Sequence, residues 1–201
     1  MNAYEAIVGR RSLRQLSSVP IARPLLQKLL YAACLAPAPH HTRPWRFVLL
    51  EKAASRGRLA EAMGAAWRAD LEGDGVSEQR IGALLDRSRK QIEGAPALVL
   101  GCLVADGLRA WPDERRQRAE FRMAVQSMGC ALENIMVAAH AEGLASFWIS
   151  APLFCQEAVR DALDLPPEYE PQALVVLGYP ATDAAPRPRP EPDFAALVHT
   201  L

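Results

Sequence analysis

Residues 36–47 read APAPHHTRPWRF, and this stretch divides the chain into parts. Pro37, Pro39 and Pro44 each remove a backbone donor and restrict the residue before them, so APAPHHTRP cannot be regular structure. The apolar run that follows, RFVLL from Arg46 to Leu50, suits a short buried strand. The stretch is therefore a helix stop, a rigid loop and a strand entry in succession. Upstream, Pro24 at a first helical position opens a helix through Cys34, with Leu25, Leu26, Leu29, Leu30 and Ala33 at helical spacing. Before it, Ala3 to Gly9 is a short helix that ends at a glycine.

Downstream, a helical stretch from about Ala53 to Leu71 is broken by the Gly-Asp-Gly at 73–75, and a second runs from about Ser77 to Glu93. ALVLGCLV, Ala97 to Val104, is the clearest strand of the chain. A polar excursion, WPDERRQRAE, leads to the longest helix, about Arg116 to Ala141, which is apolar over most of its circumference. Such a helix is central to a core or forms half of a subunit interface, and Gly129 and Ala131 favour the interface. ASFWI at 145–149 is a strand, Pro152 to Leu163 a helix and ALVVLG at 173–178 a last strand. Helices of unequal length between the strands, without internal repeats, imply an α+β fold. Its central sheet is mixed, mainly antiparallel and wrapped by helices, not a regular βαβ array.

The chain has 201 residues and a formal net charge of zero. At that length one domain spanning 1–201 is expected, with 180–201 as an extended C-terminal arm. The zero hides an asymmetry, because the first fifty residues carry seven Arg and Lys against the single acid Glu5. With no dense basic run and no overall basic balance, nucleic acid is excluded as the main partner. No apolar run is long enough to span a bilayer, and the arginines of MNAYEAIVGRRS follow its apolar stretch, unlike a secretory signal, so no membrane association and a cytoplasmic location are expected. Cys34, Cys102, Cys130 and Cys155 stand alone in apolar surroundings and read as small buried hydrophobes, not a zinc or disulfide framework.

Three segments carry chemistry. Arg10-Arg11-Ser12-Leu13-Arg14 follows a helix end with forked cations and a hydroxyl suited to an anionic ligand, although alone it also reads as a basic surface turn. The proline-rich loop at 36–44 is pre-organised and small enough for a flat ring to lie against it. Its adjacent His40 and His41 would point to opposite sides of an extended backbone, and no further ligand set completes a metal site. In the tail, Pro186, Pro188, Pro190 and Pro192 alternate with Arg187, Arg189 and Glu191, which favours polyproline II or a disordered end. Neither a P-loop nor a G-x-G-x-x-G follows a strand, so nucleoside-triphosphate hydrolysis and a Rossmann nicotinamide site are unsupported.

Taken together, RRSLR at 10–14, APAPHHTRPWRF at 36–47, GLASFWI at 143–149 and GYP at 178–180 followed by Arg187 and Arg189 resemble the nitroreductase-like family of FMN-dependent oxidoreductases. The resemblance runs from Ala3 to about Pro192. Ala38, His41 and Arg43 depart from the commoner Ser, Asn and Gln. They match instead the reductase branch of F-420 biosynthesis, which in actinobacteria is fused to a γ-glutamyl ligase. WRADL at 67–71, the pairs at 106–107 and 112–113, Ala119-Glu120 and VRDALDLPPEYEP at 159–171 share that similarity.

The resemblance implies an intertwined homodimer with FMN at the subunit interface. Arg10, Ser12, Arg187 and Arg189 would hold the phosphate and ribityl chain, with Arg11, Leu13 and Arg14 beside them and Arg14 toward the pyrimidine edge. Ile149, Ser150 and Ala151 would meet the ring, with a backbone N–H near Ser150 donating to N5. Ala38, Pro39, His40 and Asp70 would face substrate, and His40 or His41 is a candidate proton donor at near-neutral pH. The implied activity is reduction of dehydro-F-420-0 to F-420-0 by hydride from reduced FMN, in a free-standing chain with which a separate γ-glutamyl ligase could associate. A generalist NAD(P)H-dependent nitro- or quinone reductase and a non-catalytic flavin or deazaflavin binding protein are the alternatives.

Overall fold

Local signals set the element ends in the computed structural model, which describes residues 1–201. Helix α1 (Ala3–Gly9) starts at a capping box in which Asn2 and Glu5 each accept the other's backbone N–H. Helix α2 (Arg23–Cys34) carries Pro24 in its first turn. Strand β1 (Trp45–Leu49) is followed by two long helices, α3 (Ala53–Gly73) and α4 (Glu78–Glu93), that pack on each other. Strand β2 (Ala97–Leu103) precedes α5 (Glu114–Ala141), whose cap Asp113 accepts from the Arg116 N–H at 2.9 Å. Strand β3 (Ala145–Ile149), helix α6 (Gln156–Ala162), strand β4 (Glu170–Gly178) and a short helix α7 (Phe194–Leu197) complete the chain.

The strands form one sheet in the order β1-β2-β4-β3, every neighbouring pair antiparallel. The parallel element of the sheet is a single bridge between Ser12 and Ser146 on the outer side of β3. Strands β2 and β4 lie in the middle and are buried nearly throughout, as two-sided burial requires of near-continuous apolar runs. Alternation sends Val99, Val175 and Leu177 toward α2 and α5, and Leu98, Leu100, Leu174 and Val176 toward α3 and α6. Two cores thus flank one sheet. Helix α5 lies so close to β2 that a Cβ on Gly101 would stand 2.9 Å from Leu132 Cδ2.

The structure adjusts several expectations. The helix expected over 152–163 is two pieces, a 3-10 turn at Ala151–Phe154 and α6, because Cys155 leaves the helical region at φ −145, ψ 45. The first piece packs on β4 and the second on α3, which one straight helix could not do. Most of WPDERRQRAE is helical, since α5 starts at Glu114, two residues before Arg116. Strand β4 begins at Glu170, ahead of Ala173, and takes in Pro171. Of the cysteines only Cys102 is buried; Cys34 at the end of α2 and Cys130 on the outward face of α5 are exposed, and Cys155 is half-buried. Burial pushes the Cys102 thiol up to about 12. No helix is long and apolar enough to cross a membrane.

Candidate functional site

At the end of α1 the chain turns onto the free edge of β3. The Leu13 N–H donates to Ser146 O at 3.1 Å, and four residues on the Ser17 N–H donates to Tyr179 O at 2.9 Å. The C-terminal arm returns over the same segment, with the Ala181 N–H bonded to Gln15 O and the Ala185 N–H to Gln15 Oε1. This antiparallel return brings the two ends of the sequence together. Arg11 donates to Val8 O and Arg10 O at 2.6 and 2.9 Å, and Arg189 also donates to Arg10 O. Two guanidinium groups therefore meet at one carbonyl oxygen. The Arg10 side chain donates through Nε to Glu133 Oε1 on α5 at 3.1 Å. Ser12 and Arg187 are exposed on the same segments.

Beside these cations lies a cavity of about 270 Å³ lined by Arg10, Arg11, Leu13, His140, Ser146 and Pro186, among others. The Ser146 hydroxyl is buried and has no partner. Gly9 admits the His140 imidazole, whose Nε2 would lie 2.6 Å from any Cβ at that position. Burial, then the charges of Arg10 and Arg11, hold His140 below the usual histidine value, because each disfavours a second positive charge there.

Farther along β3, the Arg14 guanidinium lies 5.4 Å from the centre of the Phe147 ring. Arg14 shares a cavity of about 590 Å³ with Arg87, Lys90 and Gln91 of α4. A second cavity of about 620 Å³ shares Arg14, Arg87 and Gln91 and adds Trp67 and Asp70 of α3 with Ile149, Ala151, Phe154 and Cys155. Burial, with a smaller effect of Asp70, raises the Cys155 thiol. The Trp148 indole fixes Ser150 by donating to its Oγ at 2.8 Å, while the Ser150 N–H has no acceptor within the chain. Sequence reasoning missed Arg87 and Lys90. Their only signal is the basic run Arg87-Ser88-Arg89-Lys90, which by itself looks like any solvated helix face.

The loop at 36–44 lies elsewhere, at β1, the opposite edge of the sheet and about 14 Å away by strand spacing. Pro39–His41 form a 3-10 turn, and His40, His41 and Arg43 all have left-handed backbones with φ of 52, 57 and 50. The expectation of an extended His40-His41 pair is corrected: the His41 N–H donates to Ala38 O and the Thr42 N–H to Pro39 O, which closes a tight turn. Thr42 Oγ1 closes it onto Pro39 O at 2.8 Å, and the Val104 N–H donates to Pro44 O. Behind it, Glu120 of α5 is 1% exposed and accepts from the Arg109 N–H at 3.2 Å and from Trp111 Nε1 at 3.1 Å. The Trp111 bond lowers the Glu120 carboxyl; desolvation opposes this, and Arg109 and His40 add to it. Within one chain, Ala38, Pro39 and His40 line neither cavity that holds Arg14, whereas Asp70 does. No cluster of three His, Cys, Asp or Glu residues could hold a metal ion.

The sequence profile of the nitroreductase family matches residues 7–179. A Methanothermobacter thermautotrophicus protein whose name assigns it to the NADH dehydrogenases/NAD(P)H nitroreductases is 26% identical over 195 residues, covering 96% of this chain and 85% of that protein. A BluB-like flavoprotein from Clostridium difficile superposes with a TM-score of 0.79 at 22% identity, over 100% of this chain and 99% of its own. A nitroreductase-type protein of Desulfovibrio desulfuricans, crystallised in complex with FMN, superposes with a TM-score of 0.72 at 20% identity, over 100% and 97%.

Proposed function

The chain belongs to the nitroreductase family of oxidoreductases, and on that premise we propose that it binds FMN along the β3 edge and reduces dehydro-F-420-0 to F-420-0. The observation that carries the cofactor reading is the meeting of Arg11 and Arg189 at the Arg10 carbonyl, with the Arg10 side chain alongside. Three guanidinium groups drawn from both ends of the chain repel one another unless an anion neutralises them, and a phosphate monoester matches their forked donors. The unpartnered Ser146 hydroxyl beside them supports an oxygen-rich ligand.

When bound, FMN supplies the hydride, and the protein's work is to hold, orient and polarise. Arg10, Arg11 and Arg189 hold the phosphate, with Ser12 and Arg187 on the same segments. Arg14, Arg87 and Lys90, which share one cavity, would lie toward the pyrimidine edge and supply positive charge there. The free Ser150 N–H would be available to donate to N5, and Ile149 and Ala151, which line the neighbouring cavity, would pack against the ring. Trp67 and Asp70 line the chamber beside it and meet the substrate.

We propose that the working form is a homodimer, in which the 36–44 loop of one copy serves the β3 edge of the other and His40 or His41 of that loop delivers the proton. Met123 and Val125 on the outward side of α5 are more than a third exposed, and burying them against a second copy supports the dimer. The narrower substrate rests on the resemblance carried by APAPHHTRPWRF and WRADL. A second reading, a general NAD(P)H-dependent nitro- or quinone reductase, is favoured by the name of the Methanothermobacter relative.

One comparison separates the two. The purified yellow protein is offered NADPH with a nitroaromatic, and separately dehydro-F-420-0 with a reductant. Turnover of the latter is the expected result. Rapid nitroreduction with no turnover of dehydro-F-420-0 sinks the narrower assignment, and tight flavin binding without substrate-dependent reoxidation would leave a binding protein.

A further inference from the structure

We infer that Glu133 is a positioning residue for the cofactor phosphate: it grips Arg10 by Nε and leaves the Nη edge of the guanidinium to receive the phosphate. The inference rests on the FMN reading above. Arg10 and Glu133 are 123 residues apart in sequence, and α5 brings them to 3.1 Å. The Arg10 side chain is 19% exposed, and neither of its Nη groups donates to any protein atom. A guanidinium is a planar fork with five N–H donors. Holding it by Nε fixes the plane and turns the paired Nη groups outward as a bidentate face. That side chain lines the 270 Å³ cavity together with Arg11 and the Ser146 residue whose buried hydroxyl lacks a partner. A mostly buried arginine with unused donors and an orphaned buried hydroxyl at one cavity both lack an oxygen ligand.

Charge points the same way. Arg11 and Arg189 meet at the Arg10 carbonyl, Arg10 and Arg11 line one cavity, and Glu133 is the acid that pairs with Arg10. Without it, Arg10 has no fixed rotamer and is repelled by its neighbours. With it, one carboxylate offsets one cation and the remaining positive charge stays available to a phosphate dianion.

The test uses the full chain, freed of flavin and titrated with FMN and, separately, with riboflavin, which lacks the phosphate. Glu133→Ala should weaken FMN about tenfold or more, the scale of one charge-assisted hydrogen bond, and leave riboflavin affinity unchanged. Glu133→Gln should keep most of the FMN affinity, because its amide oxygen still accepts from Nε. Glu133→Asp, which keeps the charge but shortens the reach, should fall between them and serves if the alanine variant does not fold. Glu133→Ala binding FMN as tightly as the parent, or losing FMN and riboflavin in equal proportion, overturns the inference. So does an equal FMN loss in Glu133→Gln and Glu133→Ala. A parent protein that binds FMN no better than riboflavin contradicts the phosphate reading instead.

Discussion

The two edges of the sheet use the same kinds of residue for different ends. On the β3 edge residues 10–17 hold no left-handed backbone: they touch β3 at Ser146 and cross to Tyr179, the C-terminal arm returns over them, and cavities lie beside the polar groups left over. On the β1 edge the backbone itself is unusual, with left-handed His40, His41 and Arg43 held by prolines and by a loop bonded to the buried Glu120. Three such residues in one loop cost energy that the surrounding structure must supply, and strain of this kind marks a segment whose shape matters. On the function proposed above, the first edge would hold an anion. The second would present a fixed surface to a second copy.

Changes at the β3 edge should therefore remove flavin, and changes at the β1 edge should leave it. The largest effect is expected from Arg10→Ala combined with Arg189→Ala, which removes two charged donors and should lower FMN affinity about 100-fold or more, so that the purified protein loses its visible flavin absorbance. Undiminished absorbance would break the contrast. Next, His40→Ala with His41→Ala should keep the flavin and reduce turnover by about 100-fold, the usual scale of a lost general acid. Equal loss of flavin in that variant would erase the distinction between the edges.

A smaller effect is expected from Trp111→Phe, which deletes the indole donor to Glu120 and should destabilise the β1 edge by about 1 kcal/mol, read as a lower Tm with flavin content unchanged.

Acidification separates the edges by the order in which they respond. His140 is held below its reference value of 6.5, so the unfolded chain takes up its proton first. Its stabilising contribution is complete above 6.5 and declines as pH falls from there toward the lowered folded value. Glu120 is held below its reference value of 4.5, so its contribution is complete above 4.5 and declines only below that. In melts of the flavin-free chain, His140→Gln should flatten the fall in Tm that begins below pH 6.5 and leave the fall below 4.5 in place. Bound FMN should reduce the first fall, since a phosphate makes protonated His140 welcome.

The sequence shows most elements well because prolines and apolar periodicity are local: Pro24, the Gly-Asp-Gly break, ALVLGCLV and ASFWI place α2 to α5 and β1 to β3 within a few residues, whereas the short helix α7 lies in the tail expected to be an extended arm. It shows less where tertiary contacts decide. The bend at Cys155 depends on one segment packing on β4 and the next on α3, which no local pattern records. Arg10–Arg14 and Arg189 were legible as chemistry through their hydroxyl and proline neighbours. Arg87, Lys90, Glu120 and Glu133 were not, since a charge on a long helix looks the same whether it faces water or a site. His40 and His41 were legible as residues but not in backbone shape, because left-handed conformations in non-glycine residues follow from the closed turn as a whole.

On the proposed function, a complete site combines the β3 edge of one copy with the β1-edge loop of another, and mixing two inactive chains tests this. One chain carries Arg10→Ala and Arg189→Ala, the other His40→Ala and His41→Ala, and they are produced together and assayed with dehydro-F-420-0 or a nitroaromatic. In a mixed dimer, one site pairs both damaged edges and the other pairs both intact edges. Mixed dimers should recover turnover that neither parent variant has, at about half the activity of the unaltered protein. Turnover no greater than that of the two variants assayed apart would place both edges in one chain's own site and contradict it.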